Sequence, residues 1–287
     1  MDSTSSVPWN LFPGLIVWRR VRFLGSGSYG AVYLTFLTNF NELNHLLAVK
    51  TSFLALSTSL FKEKRVLANL GDCPEIIVCF GHKVTVERGM QLYNLVLEYA
   101  PFGTLSDLIQ TFILRDINIR IYTTIILKGL RYMHAKGYVH CDLKPDNILV
   151  FPSDQRGCYR VKIADFGLTK EPDEVIIPDD YKNRFRGTPC YMSPESVVLG
   201  QIGPALDIWS LGCIVIEMHT AKSAWHVLEC TPRLDMVHLL ASTKMTPPIP
   251  CAVTEIGRDF LRKCLARDPR ERWTARMLLN HPYVSEV

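Results

Sequence analysis

The first third of the chain carries short apolar runs separated by turn residues. Trp18–Leu24 alternates loosely between apolar and polar side chains, and Ala31–Phe36 resumes after a glycine-rich interruption. Leu46–Thr51 and Leu92–Tyr99 are two more short runs of strand character. Between them, Leu60–Leu70 spaces its apolar residues as a helix does, and Gly71 is expected to end it as a C′ glycine. The pattern changes after Pro101-Phe102-Gly103. Tyr122, Ile126, Leu130 and Met133 fall on one helical face, with Gly137 closing that helix. Val161–Ala164 reads as a short strand, and the chain from Ala205 onward reads as mainly helical, interrupted by prolines. The pattern predicts a small β-rich front lobe, a hinge near residues 99–103 and a larger helical rear lobe, with no internal repeat.

Composition narrows this without deciding it. The chain has 287 residues, enough for one large domain or two small lobes at roughly 100–200 residues per domain. With 48% hydrophobic and 21% charged residues it can bury a sizeable core. The net charge of +4 is not gathered into any basic run, so nucleic acid is not called for. Nine cysteines are scattered without a CxxC pair, which points to a reduced intracellular protein without structural zinc. The opening MDSTSSVPWN lacks the basic-then-apolar pattern of a signal peptide. The most apolar stretch, Ile208–Met218, contains Glu217 and follows Asp207, so no membrane span is expected.

Candidate chemistry begins at Leu24-Gly25-Ser26-Gly27-Ser28-Tyr29-Gly30-Ala31-Val32, a G-x-G-x-x-G stretch. Glycines let backbone turn tightly and approach phosphate oxygens. A plain hairpin turn or a dinucleotide fold uses the same residues, but the dinucleotide fingerprint needs a helix directly after the glycines. Here a strand follows, which suits a loop lying over a nucleotide. In Ala48-Val49-Lys50 a lysine ends an apolar strand run and needs an anion to justify an inward position. Glu63 is the only carboxylate between Lys50 and Gly71, so it is the expected partner of Lys50.

Further along stand His140-Cys141-Asp142-Leu143-Lys144-Pro145-Asp146-Asn147, Asp165-Phe166-Gly167, Ser193-Pro194-Glu195, Asp207-Ile208-Trp209-Ser210-Leu211-Gly212 and Arg272. With the glycine loop and Lys50, this ordered set resembles the eukaryotic protein kinases over residues 18–284. The resemblance implies an α+β, bilobal protein-kinase-like fold: an extension at 1–17, an N-lobe at 18–99, a hinge at 98–103 and a C-lobe at 104–284. It implies ATP and Mg²⁺, with Mn²⁺ as a substitute. Asp142 would accept the proton of an attacking hydroxyl, and Lys144 would offset charge on the transferring group. Asn147 and Asp165 would supply hard oxygens to the metal. Lys50, held by Glu63, would grip phosphates, while Leu24–Val32, Ala48, Leu97, Glu98, Ala100 and Leu149 would contact the nucleotide. Leu97 fits the back of the adenine pocket, and Glu98 and Ala100 would offer hinge backbone groups. His140 would pack beneath Phe166 with Leu67 in the same stack, Thr188 would bond near Asp142 and Lys144, Glu195 and Arg272 would pair, and Asp207 would bond catalytic-loop backbone. Gly167, Thr169 and Tyr181 complete the segment that runs on to Glu195.

Lys144 and Gly187-Thr188-Pro189 resemble the serine/threonine type. Val139-His140-Cys141, Phe185-Arg186-Gly187, Tyr191-Met192-Ser193, Trp225-His226 and Ile249-Pro250 resemble plant mitogen-activated protein kinase kinase kinases. That branch implies a downstream kinase kinase as protein substrate, and a cytoplasmic or nuclear setting. The chain departs from the family pattern in two places. Cys141 stands where most members have an arginine that clamps a phosphorylated loop, and a thiol cannot do so. Activity is therefore expected to depend weakly, if at all, on such a clamp, and only Thr169 and Tyr181 are phosphorylatable between Asp165 and Thr188. The carboxylate beside Cys141 works against thiolate formation, so a small buried side chain is the plainer role. Asn39–His45 reads as an enlarged exposed loop. At this length, control is expected to come from the loop itself, from turnover and abundance, from partners, or from sequence outside this chain. A nucleotide-binding scaffold without catalysis would show damage at Lys50, Asp142, Asn147 or Asp165, and all four are intact. A purely structural module would leave the ordered set unexplained.

Overall fold

The computed structural model describes residues 17–27, 30–38, 45–154, 157–175, 186–226, 240 and 244–285. They form two compact units, divided between Asp72 and Cys73, Ile76 and Ile77, and Ala100 and Pro101. The expected N-lobe of 18–99 is therefore not one continuous piece. Residues 73–76 pack with the second unit because the Ile163 N–H donates to the Glu75 carbonyl (2.8 Å) and Ile76 pairs with Ile163. Apart from Val17 and His45, the 1–17 extension and the Asn39–His45 loop lie outside the described residues.

The first unit is a five-stranded antiparallel sheet in the order β1 (Val17–Gly27), β2 (Gly30–Thr38), β3 (His45–Phe53), β5 (Met90–Glu98) and β4 (Cys79–Glu87), with helix α1 (Thr58–Leu70). β4 had no clear signature, since its apolar residues are interrupted by Gly81, His82 and Lys83. α1 buries Leu60, Val66, Leu67 and Leu70 on one face, together with Glu63. Gly71 ends the helix in a right-handed conformation (φ −63°), so the expected left-handed cap is absent. Asn94 ties the sheet's register. Its amide donates to Thr85 Oγ1 (2.9 Å) and the Lys83 carbonyl (3.1 Å), and its oxygen accepts from Thr51 Oγ1 (2.8 Å). A buried amide satisfied from three strands disfavours any slipped pairing of β3, β5 and β4.

The second unit is built on α3 (Asp116–Ala135) and α5 (Pro204–Thr220). α3 buries Tyr122, Ile126, Leu130 and Met133, and Gly137 follows its end at φ +81°. α5 is apolar on nearly every side and almost wholly buried, as expected of a helix that others pack around. Around them stand α2 (Leu105–Thr111), α4 (Pro194–Leu199), α6 (Glu255–Cys264), α7 (Ala275–Leu278) and α8 (Pro282–Ser285). A two-stranded ribbon, β6 (Ile148–Phe151) with β7 (Arg160–Ile163), carries the segments on either side of it. Among the described residues no helix is long and apolar enough to cross a membrane.

Candidate active site

In the first unit the glycine stretch spans two paired strands, with Gly25 opposite Val32, Ser26 opposite Ala31 and Gly27 opposite Gly30. The strand after the glycines removes the dinucleotide alternative. Ser28 and Tyr29 lie outside the described residues. Gly30 has φ +144°, and a Cβ there would collide with the Thr51 carbonyl oxygen. A Cβ at Gly25 or Gly27 would meet nothing within 4 Å, so packing inside the protein does not demand glycine there. The backbone there is open to close approach. Leu24 sits at a register shift between Phe23 and Gly25, and is partly exposed.

Lys50 lies on β3 opposite Val32 on one side and Leu95 on the other. Its Nζ is 2.8 Å from Glu63 Oε2 on α1, with the two side chains 8% and 1% exposed. Ala48 and Leu97 are cross-strand neighbours, both buried, and Ala100 is buried after the end of β5. Glu98 donates its N–H to the Val78 carbonyl (3.0 Å), and its carboxylate accepts the Val78 N–H (2.7 Å). What Glu98 can offer a ligand from its backbone is thereby narrowed to its carbonyl.

In the second unit the loop after Val139 brings three functional groups together. Thr188 Oγ1 donates to Asp142 Oδ1 at 2.8 Å and accepts from Lys144 Nζ at 2.9 Å. Lys144 Nζ is also 3.3 Å from Asp142 Oδ2. Asn147 donates through Nδ2 to the Asp142 carbonyl (2.7 Å) and to Asp142 Oδ2 (3.2 Å). Asp142 is thus oriented from three sides. Gly187, at φ +107°, packs where a Cβ would collide with the Cys141 carbonyl oxygen.

Asp207 holds this loop from beneath. Its fully buried carboxylate accepts the His140 N–H (2.9 Å) and the Cys141 N–H (3.1 Å), and faces His134 Nε2 at 2.8 Å. These bonds keep Cys141 in a left-handed conformation, φ +70°, that side-chain-bearing residues rarely adopt. Cys141 is buried, and its Sγ donates to the Val139 carbonyl at 3.3 Å. His140 Nδ1 accepts the Asp142 N–H (3.3 Å), so Nε2 carries the proton donated to the Ala164 carbonyl (3.0 Å). The His140 ring stands edge-on to Phe166, centroids 5.1 Å apart. Leu67 is buried in the first unit, and Leu149 is half-buried on β6.

Glu195 and Arg272 form a bidentate pair at 2.7 and 3.0 Å. Thr169 is wholly buried, with no hydrogen-bond partner for Oγ1 among the described residues. Its hydroxyl is therefore not presented for modification. Tyr181 lies outside the described residues.

The protein kinase domain family matches residues 18–284. The chain belongs to that family. Its α+β architecture, a β-rich N-terminal unit and a helical C-terminal one, is the family's. Among curated proteins it is similar to mitogen-activated protein kinase kinase kinase 20 of Arabidopsis thaliana, 42% identical over 272 residues, or 93% of this chain and 78% of the relative. Kinase kinase kinases 17 and 18 of the same plant are 40% and 36% identical, each across 93% of this chain and across 69% and 77% of their own lengths.

The family generally uses ATP and Mg²⁺. Among the described residues no cluster of three or more His, Cys, Asp or Glu could cage a metal. Magnesium takes one or two protein oxygens and completes its shell with water and phosphate. In this kinase domain both side-chain hydrogen bonds of Asn147 use its amide nitrogen, which leaves Oδ1 out of them. Asp165 sits at φ +61°, in the left-handed region that Asp enters more readily than most side-chain-bearing residues.

Three contacts escaped the sequence reading. His134 on Asp207 joins residues 73 apart, and no spacing announces it. Tyr191 donates to Glu217 at 2.6 Å, and burial pushes the Glu217 carboxyl up against the lowering effect of that bond, with Asp146 adding to the rise. Arg186 pairs with Glu174, a partner that only the folded segment reveals.

Proposed function

We propose that this kinase domain transfers the γ-phosphoryl group of ATP to serine or threonine hydroxyls of a mitogen-activated protein kinase kinase, acting as a kinase kinase kinase. The observation that carries the reading is the Thr188 hydroxyl bridging Asp142 and Lys144 at 2.8 and 2.9 Å. It holds a proton acceptor and a cation side by side, as phosphoryl transfer requires.

The acceptor hydroxyl oxygen attacks the γ-phosphorus. A new P–O bond forms as the bond to the bridging oxygen breaks, and ADP leaves with that electron pair. Asp142 takes the hydroxyl proton, and Lys144 offsets charge gathering on the transferring group. The first unit contributes Lys50, braced by Glu63, as a grip on phosphate oxygens, with Gly25 and Gly27 leaving backbone open to approach. Asn147 and Asp165 would hold magnesium, which when bound neutralises phosphate charge. The names of the relatives support the kinase kinase as substrate. A cytoplasmic setting, with the nucleus as a second, belongs to the same proposal and is tested by fractionation of tagged chain.

The decisive assay is radiolabel transfer from ATP·Mg²⁺ to a panel of mitogen-activated protein kinase kinases, with Asp142→Asn as control. Asp142→Asn is expected to keep the fold and lose transfer by at least about 10²-fold. Equal labelling by both proteins would end the enzyme reading. Labelling of an unrelated acceptor protein but none of the kinase kinases would end the branch assignment.

A further inference from the structure

The segment after Asp165-Phe166-Gly167 is anchored twice before it reaches Thr188. Val139 and Lys170 exchange both backbone hydrogen bonds, at 3.1 and 2.8 Å, which ties the segment to the residue before the catalytic loop. The chain then turns at residues 171–174. The Glu174 N–H donates to the Glu171 carbonyl (3.2 Å), and Glu174 Oε2 accepts the Glu171 N–H (3.2 Å). This turn presents the other carboxylate oxygen, Oε1, to Arg186 Nη2 twelve residues on.

Arg186 is buried, its side chain 6% exposed and that of Glu174 23%. Two groups that follow it in sequence touch the catalytic loop directly. Gly187 packs on the Cys141 carbonyl, and Thr188 bridges Asp142 and Lys144. Contact therefore runs without a break from the Glu171–Glu174 turn, through Arg186, to the proton acceptor. At the position where an arginine would grip a phosphate stands Cys141, buried and bonded to Val139. The cation that steadies the segment here comes from the segment itself, and its anion is a carboxylate.

We propose that Glu174 and Arg186 are positioning residues of the phosphoryl transfer: their ion pair fixes Arg186-Gly187-Thr188 against Asp142 and Lys144, and needs no phosphate to do so. This rests on the kinase reading above. The pair touches neither nucleotide nor acceptor. It acts by holding the Thr188 hydroxyl where Asp142 and Lys144 share it, so its loss acts on turnover rather than on ATP binding.

The test uses the full chain, treated with phosphatase and shown by mass spectrometry to carry no phosphate. The variants are Glu174→Gln, Arg186→Gln, the double Glu174→Gln/Arg186→Gln and the reversed Glu174→Arg/Arg186→Glu. The phosphate-free wild type is expected to be active. Each single variant should lower kcat on the order of 10- to 100-fold while KM for ATP stays within about twofold. The double should be no worse than either single, because both break one interaction, and the reversed pair should recover at least about tenfold of the loss.

Singles with wild-type kcat, losses that multiply in the double, or inactivation of the wild type by phosphatase would each overturn the proposal. Hydrogen–deuterium exchange of amides 186–191, without nucleotide, separates the two readings. If the wild type transfers no phosphate at all, the kinase reading fails. Exchange then decides the positioning alone: faster exchange in Arg186→Gln supports it, and unchanged exchange overturns it.

Discussion

Arg272 is fully buried, and each of its five N–H groups has an acceptor. Nη1 and Nη2 donate to Glu195 at 2.7 and 3.0 Å. Nη1 also donates to the Ala205 carbonyl (2.7 Å), Nε to Ala266 (2.9 Å) and Nη2 to Arg267 (3.4 Å). The pair joins α4 to the segment between α6 and α7, residues 77 apart. Arg272→Met keeps much of the volume and removes every donor, leaving the Glu195 carboxylate, with a side chain only 5% exposed, without its ion-pair partner. Stranding a buried charge in this way costs about 3–5 kcal/mol. For a domain of this size about 2–4 °C is lost per kcal/mol, so the melting temperature should fall by roughly 6–20 °C. The double variant Glu195→Gln/Arg272→Met removes the stranded charge but still leaves three carbonyls without their donor, at about 1–3 kcal/mol for a poorly solvated group. It should therefore melt above Arg272→Met and below wild type. Thermal unfolding followed by far-ultraviolet circular dichroism measures all three. A drop of less than about 3 °C for Arg272→Met, or a double variant no more stable than the single, would refute the claim that an isolated buried charge dominates.

Three more outcomes are expected. Lys50→Met removes the 2.8 Å partner of Glu63 and should cut phosphoryl transfer by about 10²–10³-fold, measured as kcat/KM for ATP. Gly187→Ala forces a Cβ toward the Cys141 carbonyl at φ +107°, and should lower kcat at least about tenfold while Gly25→Ala, with open space around it, leaves the melting temperature within about 2 °C. Burial pushes the thiols of Cys79 and Cys73 up from 9.0 to about 11 and about 12, so the unfolded chain releases their protons first as pH rises. Stability held below pH 9 should then fall between about pH 9 and 12, and Cys79→Ser should flatten the earlier part of that fall in melting-temperature scans.

Much of the site was legible because phosphoryl chemistry needs particular residue types at short spacings. Glycines at 25, 27 and 30 read as a loop between strands, and the structure places them at the paired ends of β1 and β2. Glu63 followed from being the sole carboxylate between Lys50 and Gly71, and the two meet at 2.8 Å. Asp142, Lys144 and Asn147 lie within one turn of chain, where local geometry settles most of their contacts. Other expectations gave way to packing. Gly71 had the residue type of a left-handed cap, but the chain leaves α1 in a right-handed conformation. Thr169 is wholly buried, which its residue type did not announce. Burial depends on what folds over a residue, which its own type does not encode.

By itself, the sequence determined the strand character of β1, β2, β3, β5 and β7, the helical character of α1 and α3, and the membership of the chain in a family with a β-rich front and a helical rear. These follow from periodicity, from turn residues and from motifs whose members lie close along the chain. Tertiary structure alone decided that residues 73–76 join the second unit, that His134 shares the Asp207 carboxylate with the catalytic-loop backbone, and that Arg186 meets Glu174. Each of those contacts joins groups distant along the chain or hidden by the fold, and its partner is chosen by the packing of whole elements rather than by any local pattern of residues.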